Sequence, residues 1–403
     1  MRRCAKRAVP RRKCEWRATT LFNVVKTPVV YGSVRTETSV ENLADWLMQA
    51  AELIASDVHL VAGYPPIRRE HGELVPISER LLTSADIDTC LRTICSPEQY
   101  ETFAKERNLD FAFVLHANQE VSGIERQSLG SRRFRGNLFY SGDAVGACIR
   151  VIPSEIPDLL ECNFPVRLAD RLASFRNGLI IFSGVTGSGK TTSMAMILDK
   201  LAKQGGKRVV TIEDPVEFQF PAIGKSLITQ REVGRDVKSF ASGLRFALRQ
   251  DPDIILVGEI RDAETAQIAM SAAETGHLVM STLHSRDAKG AITRLWDLFP
   301  PSKQNETQTM LAASLRAIVC QHLVPSSVPG DRRELALEVV LRSNAVAAGL
   351  KNGRTDTLET AILAGRKDGM LSLDDSLAEL MRDGRITEEI ALQYATDPRQ
   401  LFR

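Results

Sequence analysis

The sequence Gly184-Val185-Thr186-Gly187-Ser188-Gly189-Lys190-Thr191 decides the fold of this chain of 403 residues. It fits the pattern G-x-x-x-x-G-K-[ST] of a phosphate-binding loop. An apolar segment from Leu179 to Ser183 precedes it, and a helical segment that ends near Gly205-Gly206 follows it. Because strand, loop and helix agree, the pattern favours a true phosphate-binding loop over a chance glycine-rich turn.

The residue types of this loop suit a nucleoside triphosphate. Glycines allow consecutive backbone N–H groups to curl around a β-phosphate, and the start of the following helix adds partial positive charge. We expect Lys190 to reach the β- and γ-phosphates and Thr191 to offer its hydroxyl group to Mg²⁺. The sequence therefore predicts a site for ATP and Mg²⁺ that runs from Gly184 to Thr192.

Apolar segments around and beyond the loop alternate with helical stretches. The predicted strands are Leu179 to Ser183, Arg208 to Ile212, Ile254 to Val257 and Leu278 to Thr282. Strands separated by helices indicate a doubly wound α/β sheet. Further on, apolar residues from Met310 to Leu323 lie along one side of a predicted amphipathic helix.

The remaining sequence divides into further regions. Helical spacing of apolar residues from Val40 to Ile54, with Ser39 as N-cap, and the short apolar segments that follow predict a small α+β domain over 39–156. A proline-rich linker from Ile152 to Pro165 resists helix and central strand. We assign 157–343 to the α/β domain, 344–403 to a helical C-terminal subdomain and 1–38 to a basic, disordered N-terminal extension.

The composition of the chain limits the partners, metal sites and membrane contacts that we expect. The net charge is only +2, so the bulk composition demands neither nucleic acid nor an acidic membrane as a partner. The seven cysteines include no C-x-x-C pair, which argues against a zinc site and indicates reduced thiols in a cytoplasmic protein. No apolar run approaches the roughly 20 residues that span a bilayer. We therefore expect contact with a membrane from one side only.

The first 17 residues carry eight Lys or Arg residues and one acid, with no apolar stretch behind them. We therefore expect no secretory signal peptide here. Two interpretations stay open: a contact with anionic lipid or nucleic acid, or a solvated tail without a partner.

Glu259 follows the apolar strand Ile254 to Val257, at the sheet edge where the phosphate-binding loop is also expected. We predict that it activates the attacking water. Strands of this kind usually end in Asp-Glu, but Gly258 stands in the Asp position, so direct Mg²⁺ ligation from this strand is not expected. The alternative is that Glu259 caps the helix that begins near Asp262.

A second acidic cluster follows the strand Arg208 to Ile212. Glu213, Asp214 and Glu217 are predicted to emerge at the same sheet edge and to hold Mg²⁺-bound water or polarise the attacking one. The alternative is a structural turn around Pro215.

Two histidines flank the predicted strand Leu278 to Thr282. A lone histidine is more often a packed or hydrogen-bonded residue than a catalyst. Because His277 and His284 bracket one strand of a nucleotide-binding sheet, we predict that they sense the γ-phosphate.

Several motifs together resemble the secretion and type IV pilus ATPase superfamily, in matching order and spacing. They are Gly184 to Thr191 as its Walker A motif, Thr211 to Glu217 as its Asp box, Gln230 to Val233, Ala247 to Asp262 as its Walker B region, and Ala272 to His277 as its His box. The chain is most similar to the twitching-motility, pilus-retraction ATPases, from about Ser39 to Arg385.

The resemblance implies a PAS-like N-terminal domain, a RecA-like P-loop ATPase domain and a homohexamer with ATP between subunits. It also implies that arginines of the first domain reach the phosphates, and the matching residues are Arg133, Arg135 and Arg150. Arginine suits that task because its planar fork pairs with phosphate oxygens and keeps its charge. The implied partner is an inner-membrane platform protein of a pilus or secretion system, reached from the cytoplasmic face of the membrane.

Two features bear on the subtype. Assembly and type II secretion relatives typically carry a tetracysteine zinc motif, and its absence favours pilus retraction. The family's C-terminal segment A-I-R-N-L-I-R-E corresponds to Ala345 to Asn352, where both arginines and the acid are missing. This departure argues against pilus retraction.

Four functions are compatible with these features to different degrees. The first is a hexameric ATPase that powers pilus retraction, and the second is a secretion or conjugation ATPase of the same superfamily. A non-hydrolysing scaffold is disfavoured by Glu259, the acidic cluster and the arginines. Translocation of nucleic acid is disfavoured because no stripe of basic and aromatic residues is evident.

Overall fold

The structure is a computed structural model, and it describes residues 16–20, 43–53, 55–70, 72–117, 132–152, 155–220, 225–329 and 332–402. The chain divides into two compact units, Met1–Ser154 and Glu155–Arg403. This division falls within the predicted proline-rich linker. The basic residues before Trp16, the proposed N-cap Ser39 and the linker residue Pro153 lie outside the described residues.

The first unit contains an antiparallel sheet and three helices. In the described part of this unit, the sheet has the strand order β1-β5-β6-β7-β2-β3-β4. The strands are β1 (Trp16–Thr20), β2 (Asp57–Leu60), β3 (Ile67–Glu70), β4 (Glu73–Pro76), β5 (Asn108–Ala117), β6 (Arg132–Ser141) and β7 (Ala144–Ile152), and the helices are α1 (Leu43–Glu52), α2 (Ser84–Arg92) and α3 (Pro97–Glu106).

The three helices and one face of this sheet form a single hydrophobic core. Leu43, Trp46, Leu47 and Ala50 are buried on α1 at helical spacing, as their positions in the sequence predict. They pack in one cluster with the inward residues of β5 and β6, among them Phe134. The unit therefore has the predicted α+β class, and the other face of its sheet carries polar side chains.

Strand β1 lies within 1–38, the range predicted to be a disordered extension. It pairs antiparallel with β5, with Trp16 opposite Ala117 and Thr20 opposite Phe113. The edge of β5 offers unpaired backbone groups that a neighbouring extended segment can satisfy. The prediction of a disordered extension rests on charge and does not include the short strand Trp16–Thr20.

The second unit contains a mixed sheet with helices α4 to α13. In the described part of the unit, the sheet has the order β10-β9-β11-β12-β8-β13-β14. The elements are α4 (Val166–Ala173), β8 (Gly178–Ser183), α5 (Lys190–Gln204), β9 (Arg208–Glu213), β10 (Leu227–Glu232), α6 (Phe240–Ala247), β11 (Ile254–Val257), α7 (Ala263–Glu274), β12 (Leu278–Leu283), α8 (Ala288–Asp297), α9 (Gln304–Ser314), β13 (Leu315–Val324), β14 (Glu334–Leu341), α10 (Asn344–Lys351), α11 (Leu358–Ala364), α12 (Leu373–Arg382) and α13 (Glu388–Tyr394).

The central strands of this sheet are parallel, which confirms the predicted α/β fold with a RecA-like core. Strands β9, β11, β12, β8 and β13 pair in parallel, whereas β14 pairs antiparallel with β13. All residues of β8, β11 and β12 are buried, as expected for strands covered on both faces. The carboxyl ends of these strands lie at one edge of the sheet, and the chain turns there into the segments that carry the predicted site.

The segment from Met310 to Leu323 was predicted to be one helix, and this prediction was wrong. Helix α9 ends at Ser314, and Leu315–Val324 forms strand β13 between β8 and β14. Seven of the ten strand residues are buried, because the strand is covered on both faces. A continuous apolar run of this kind cannot be distinguished from a buried helix by its periodicity.

The C-terminal region 344–403 is helical, as predicted, but belongs to the second unit. Val346 and Leu350 of α10 and Leu358 of α11 join the core of the mixed sheet, whereas α12 and α13 build a smaller cluster around Leu377 and Ala391. Along the described part of the chain, we find no helix with the length and apolar character that crossing a membrane requires.

Candidate functional site

The phosphate-binding loop connects the end of β8 to the start of α5, and its backbone requires glycine. Gly184, Gly187 and Gly189 have φ angles of 144°, 77° and 85°. A Cβ atom at Gly184 would lie 2.4 Å from Ser188 Oγ and 2.5 Å from the carbonyl oxygen of Gln321 on β13. A larger residue therefore cannot replace Gly184 without displacing backbone.

Lys190 and the two threonines after it form the first turn of α5. The Lys190 ammonium group donates hydrogen bonds to the carbonyl oxygens of Gly184, at 2.9 Å, and Val185, at 3.0 Å. Thr191 and Thr192 are half-buried in the same turn. A flexible cation at the mouth of a glycine-lined cradle, followed by hydroxyl groups at a helix start, fits a nucleotide phosphate chain and its Mg²⁺.

Glu259 lies two residues beyond β11, and only 12% of its side chain is exposed. One carboxylate oxygen pairs with the Arg261 guanidinium group at 2.5 Å, and the other lies 3.5 Å from His284 Nε2. The helix that follows is capped by Asp262, which accepts a hydrogen bond from the Thr265 backbone N–H at 2.8 Å. The alternative that Glu259 caps this helix is therefore wrong.

Lys190 and Glu259 act on each other across the edge of the sheet. Burial lowers the pKa of Lys190, whereas the carboxylates of Glu259 and Glu217 raise it. These acids come from the ends of two different strands, β11 and β9. The structure thus brings the lysine of the loop and both predicted acidic segments into one electrostatic environment.

Gly258 occupies the position at which an Asp usually ends such a strand. A Cβ atom there would lie 3.3 Å from the Phe240 ring and 3.4 Å from the carbonyl oxygen of Ile212. Thr282 Oγ1 also donates a hydrogen bond to the Gly258 carbonyl at 2.7 Å. The site therefore has little room for an aspartate at this position.

The second acidic cluster separates into one buried and two more accessible carboxyl groups. Glu213 is 6% exposed and accepts hydrogen bonds from Thr211 Oγ1, at 2.6 Å, and Gln230 Nε2, at 3.2 Å. Burial raises the pKa of Glu213, and the nearby Glu217 adds to this effect. Asp214 is exposed and Glu217 half-buried. Glu213 is the member that the protein holds in a fixed geometry.

The two predicted histidines lie at opposite edges of the sheet. His284 follows β12 at the edge with the loop, and burial together with the nearby Lys190 lowers its pKa. His277 precedes β12, and its carbonyl oxygen accepts a hydrogen bond from Gly178 at the start of β8. A strand of six residues spans about 20 Å. The structure therefore does not bring His277 to the loop of its own chain.

The three predicted arginines share the polar face of the sheet in the first unit. Arg135 on β6 lies directly opposite Arg150 on β7, and Arg133 is two residues from Arg135 on the same strand. Arg150 pairs with Asp57 at 3.0 Å. Arg133 is 7% exposed, and Arg135 and Arg150 are more accessible. Two of the arginines thus present cations on one accessible surface.

Arg261 and Gln230 lie within the motifs that resemble the family, but their roles do not follow from the sequence alone. Arg261 pairs with Glu259, and Gln230 reaches from β10 to Glu213. In the parallel pairing of β9 and β10, Gln230 lies opposite Thr211, and Glu232 lies opposite Glu213. This register is the feature that places Gln230 near Glu213. It depends on the strand order, which the sequence alone does not provide.

Comparisons with known proteins identify the family of this chain. Residues 158–396 match the family described as Type II/IV secretion system protein. The type IV pilus retraction ATPase PilT of Pseudomonas aeruginosa is 36% identical over 89% of this chain and 99% of its own length. An uncharacterised protein of Escherichia coli, YggR, is 37% identical over 82% of this chain and 95% of its own.

A solved structure extends the comparison to the fold. The crystal structure of the pilus retraction motor PilT with bound ADP is 35% identical and superposes with a TM-score of 0.75, covering 90% of this chain and 99% of PilT. The similarity thus includes both units. From its motifs, its fold and these matches, the chain belongs to the type II/IV secretion system protein family, which includes homologues of the pilus retraction ATPase PilT.

Proposed function

We propose that this protein is an ATP-hydrolysing motor that powers the retraction of type IV pili. The observation that carries the hydrolytic part is the convergence of Lys190, Glu259 and His284 at the carboxyl edge of the parallel sheet. For the retraction part, the support is the match to PilT over nearly the whole length of both chains. The ADP bound in the PilT structure supports ATP as the nucleotide.

Each residue of the site has a distinct role in this proposal. The loop N–H groups and Lys190 bind the β- and γ-phosphates, and Thr191 holds Mg²⁺, which would screen the charge of the phosphates. Glu259 orients and deprotonates the attacking water. Glu213, Asp214 and Glu217 supply further acceptors for water around the metal, and the neutral His284 donates towards the γ-phosphate region.

The working form we propose is a homohexamer with a nucleotide site at each subunit interface. In this arrangement Arg133, Arg135 and Arg150 act on the nucleotide held by a neighbouring subunit, where an arginine neutralises charge that develops during phosphoryl transfer. His277 would likewise act at an interface, because it is remote from the loop of its own chain. An inner-membrane platform protein is the proposed partner, so the ring works at the cytoplasmic face of the membrane and touches it only through that partner.

A secretion or conjugation ATPase is the second candidate. It is favoured by the departure of Ala345 to Asn352 from the sequence of the retraction family. The description of the family also names secretion systems, so the proposed catalytic site is compatible with a role in secretion as well as in pilus retraction.

We expect Lys190→Ala to lower the rate of ATP hydrolysis by about 10²-fold or more, because the substitution removes the cation that stabilises the transferring phosphoryl group. Steady-state phosphate release by the purified assembly measures the effect. Lys203→Ala is the matched control: it lies on the same helix, pairs with Asp199 at the surface and should retain turnover. Near-normal turnover of a folded Lys190→Ala protein would contradict the assigned site.

Glu259→Gln should leave nucleotide binding intact and slow hydrolysis by roughly 10²-fold or more, because the amide keeps the shape but not the basicity of the carboxylate. Binding of a fluorescent ATP analogue and single-turnover hydrolysis separate the two effects. The control Glu264→Gln removes an exposed carboxylate on the next helix, where it pairs with Arg245. If Glu259→Gln hydrolyses ATP normally, the base belongs to the cluster Glu213 to Glu217.

Arg150→Ala should lower turnover by up to roughly 10³-fold without loss of ATP affinity, and Arg135→Ala should behave in the same way. Mixing Arg150→Ala and Lys190→Ala subunits should restore activity, since some interfaces then combine an intact loop with an intact arginine. Phosphate release across a titration of the two variants measures the recovery. Arg80→Ala, which removes another arginine paired with an aspartate in the same unit, should keep full turnover. Activity that never exceeds that of either parent would show that Arg150 does not act between subunits.

Deletion of the gene in the organism that encodes it should abolish twitching and increase the amount of surface pilin, because filaments that extend but cannot retract accumulate. The intact gene should restore both properties, whereas the Lys190→Ala gene should restore neither. Microscopy of twitching and quantification of sheared pilin provide the measurement. Unchanged twitching together with loss of an exported protein would reject retraction in favour of the secretion role.

A further inference from the structure

Glu338 is a partly buried carboxylate on the edge strand β14, outside the nucleotide site described above. Its carboxylate oxygen accepts a hydrogen bond from the backbone N–H of Ala288 at 2.7 Å. Ala288 is the first residue of α8, whose N-cap Asp287 accepts from the Gly290 N–H instead. The first N–H groups of a helix have no partner within the helix. Glu338 therefore completes a cap that the local sequence leaves incomplete.

The surroundings of Glu338 disfavour the charged form of its carboxyl group. Burial raises its pKa to about 7, and the negative charges of Asp287 and of Asp374 on α12 act in the same direction. The Ala288 N–H and the opposite residue on β13, Cys320, lower that pKa through hydrogen bonds. An apolar side chain at this position of the edge strand would avoid the free-energy cost of burying a carboxyl group. We therefore attribute the presence of an acid here to its hydrogen bond with the start of α8.

The helix start that Glu338 holds is also the end of a short loop that carries His284. This loop, residues 284–287, connects β12 to α8. Side chains from three neighbouring strands secure it: Ser183 of β8 through both backbone groups of Ser285, at 2.8 and 3.1 Å; His322 of β13 through the carbonyl oxygen of Arg286, at 2.8 Å; and Glu338 of β14 through the N–H of Ala288, at 2.7 Å.

At the other end of the same loop, His284 faces the predicted water-activating residue. Its Nε2 atom lies 3.5 Å from the Glu259 carboxylate. Its own carbonyl oxygen accepts a hydrogen bond from Arg294 of α8 at 3.3 Å, so the histidine is tied to the helix as well. His284 is therefore connected to α8 both by the loop and by the hydrogen bond from Arg294.

We propose that Glu338 is a positioning residue for ATP hydrolysis, which caps α8 at Ala288 and thereby fixes the loop that presents His284 to Glu259. This proposal rests on the proposed hydrolytic function. Glu338 does not contact the nucleotide itself. Its contribution is to keep the histidine in place, and small displacements of a positioned group cost up to about 10²-fold in rate.

Three variants separate this role from general stability. Glu338→Leu keeps the size of the side chain and removes the acceptor, whereas Glu338→Gln keeps an acceptor oxygen. Val340→Ala, two residues further along β14, removes a buried side chain of the same strand and leaves the contact with Ala288 intact. We expect Glu338→Leu to lower kcat by roughly 10- to 10²-fold with an unchanged KM for ATP. Glu338→Gln should retain kcat within a few-fold of the parent protein, and Val340→Ala should not change it.

Dependence on His284 is tested with a double-mutant cycle. If Glu338 acts through the histidine, Glu338→Leu should have little further effect in a His284→Ala background, because the group that it positions is already gone. Equal losses of kcat in both backgrounds would overturn the proposal. So would a kcat of Glu338→Leu that matches the parent protein, or a loss in Glu338→Gln as large as that in Glu338→Leu.

Hydrogen exchange tests the cap without reference to activity. In the full-length protein, peptides that contain the Ala288 amide should exchange faster in Glu338→Leu than in Glu338→Gln or Val340→Ala. Unaltered exchange in Glu338→Leu would contradict the capping role. If the variants show this pattern but the parent protein does not hydrolyse ATP, the proposed function is rejected and the capping role of Glu338 is retained.

Discussion

The parallel pairing of β8, β9, β11 and β12 is the constraint on which the rest of the structure depends. Parallel strands end at the same edge, so segments far apart in sequence become neighbours there. The phosphate-binding loop follows β8, Glu259 follows β11, and Glu213 is the last residue of β9. Without that common direction, the lysine and the two acidic segments would not share one electrostatic environment. The chemistry of the site is therefore a consequence of strand order.

Within this arrangement Lys190, Glu259 and Glu213 each have partners in the protein. Lys190 contacts loop carbonyls, Glu259 contacts Arg261 and His284, and Glu213 contacts Thr211 and Gln230. Buried charges without partners are costly, so such contacts keep the protein stable when the phosphates are not there to pair with Lys190. In the proposed function, Lys190 would exchange its bonds to these carbonyl oxygens for bonds to the phosphates of a bound nucleotide.

The sequence was sufficient for the parts of the structure that depend on local chemistry. The loop requires glycine at Gly184, and the buried strand before Glu259 has an unambiguous apolar run, so both were predicted. Strand β13 was not, since a strand covered on both faces has no period of its own. The contacts of Gln230 and Glu338 depend on which strands are neighbours. That information arises only from the tertiary fold.

The segment from Ala345 to Asn352 shows which part of the family resemblance the fold needs. It forms most of α10, and its buried positions, Val346, Gly349 and Leu350, pack against the rest of the second unit. Thr357 Oγ1 would lie 2.6 Å from a Cβ atom at Gly349, so glycine suits the close approach. The missing arginines and acid correspond to Ala347, Lys351 and Asn352, which are exposed or half-exposed. The departure therefore changes a surface of α10 and leaves the core intact, so this surface can diverge while the candidate nucleotide site keeps its geometry.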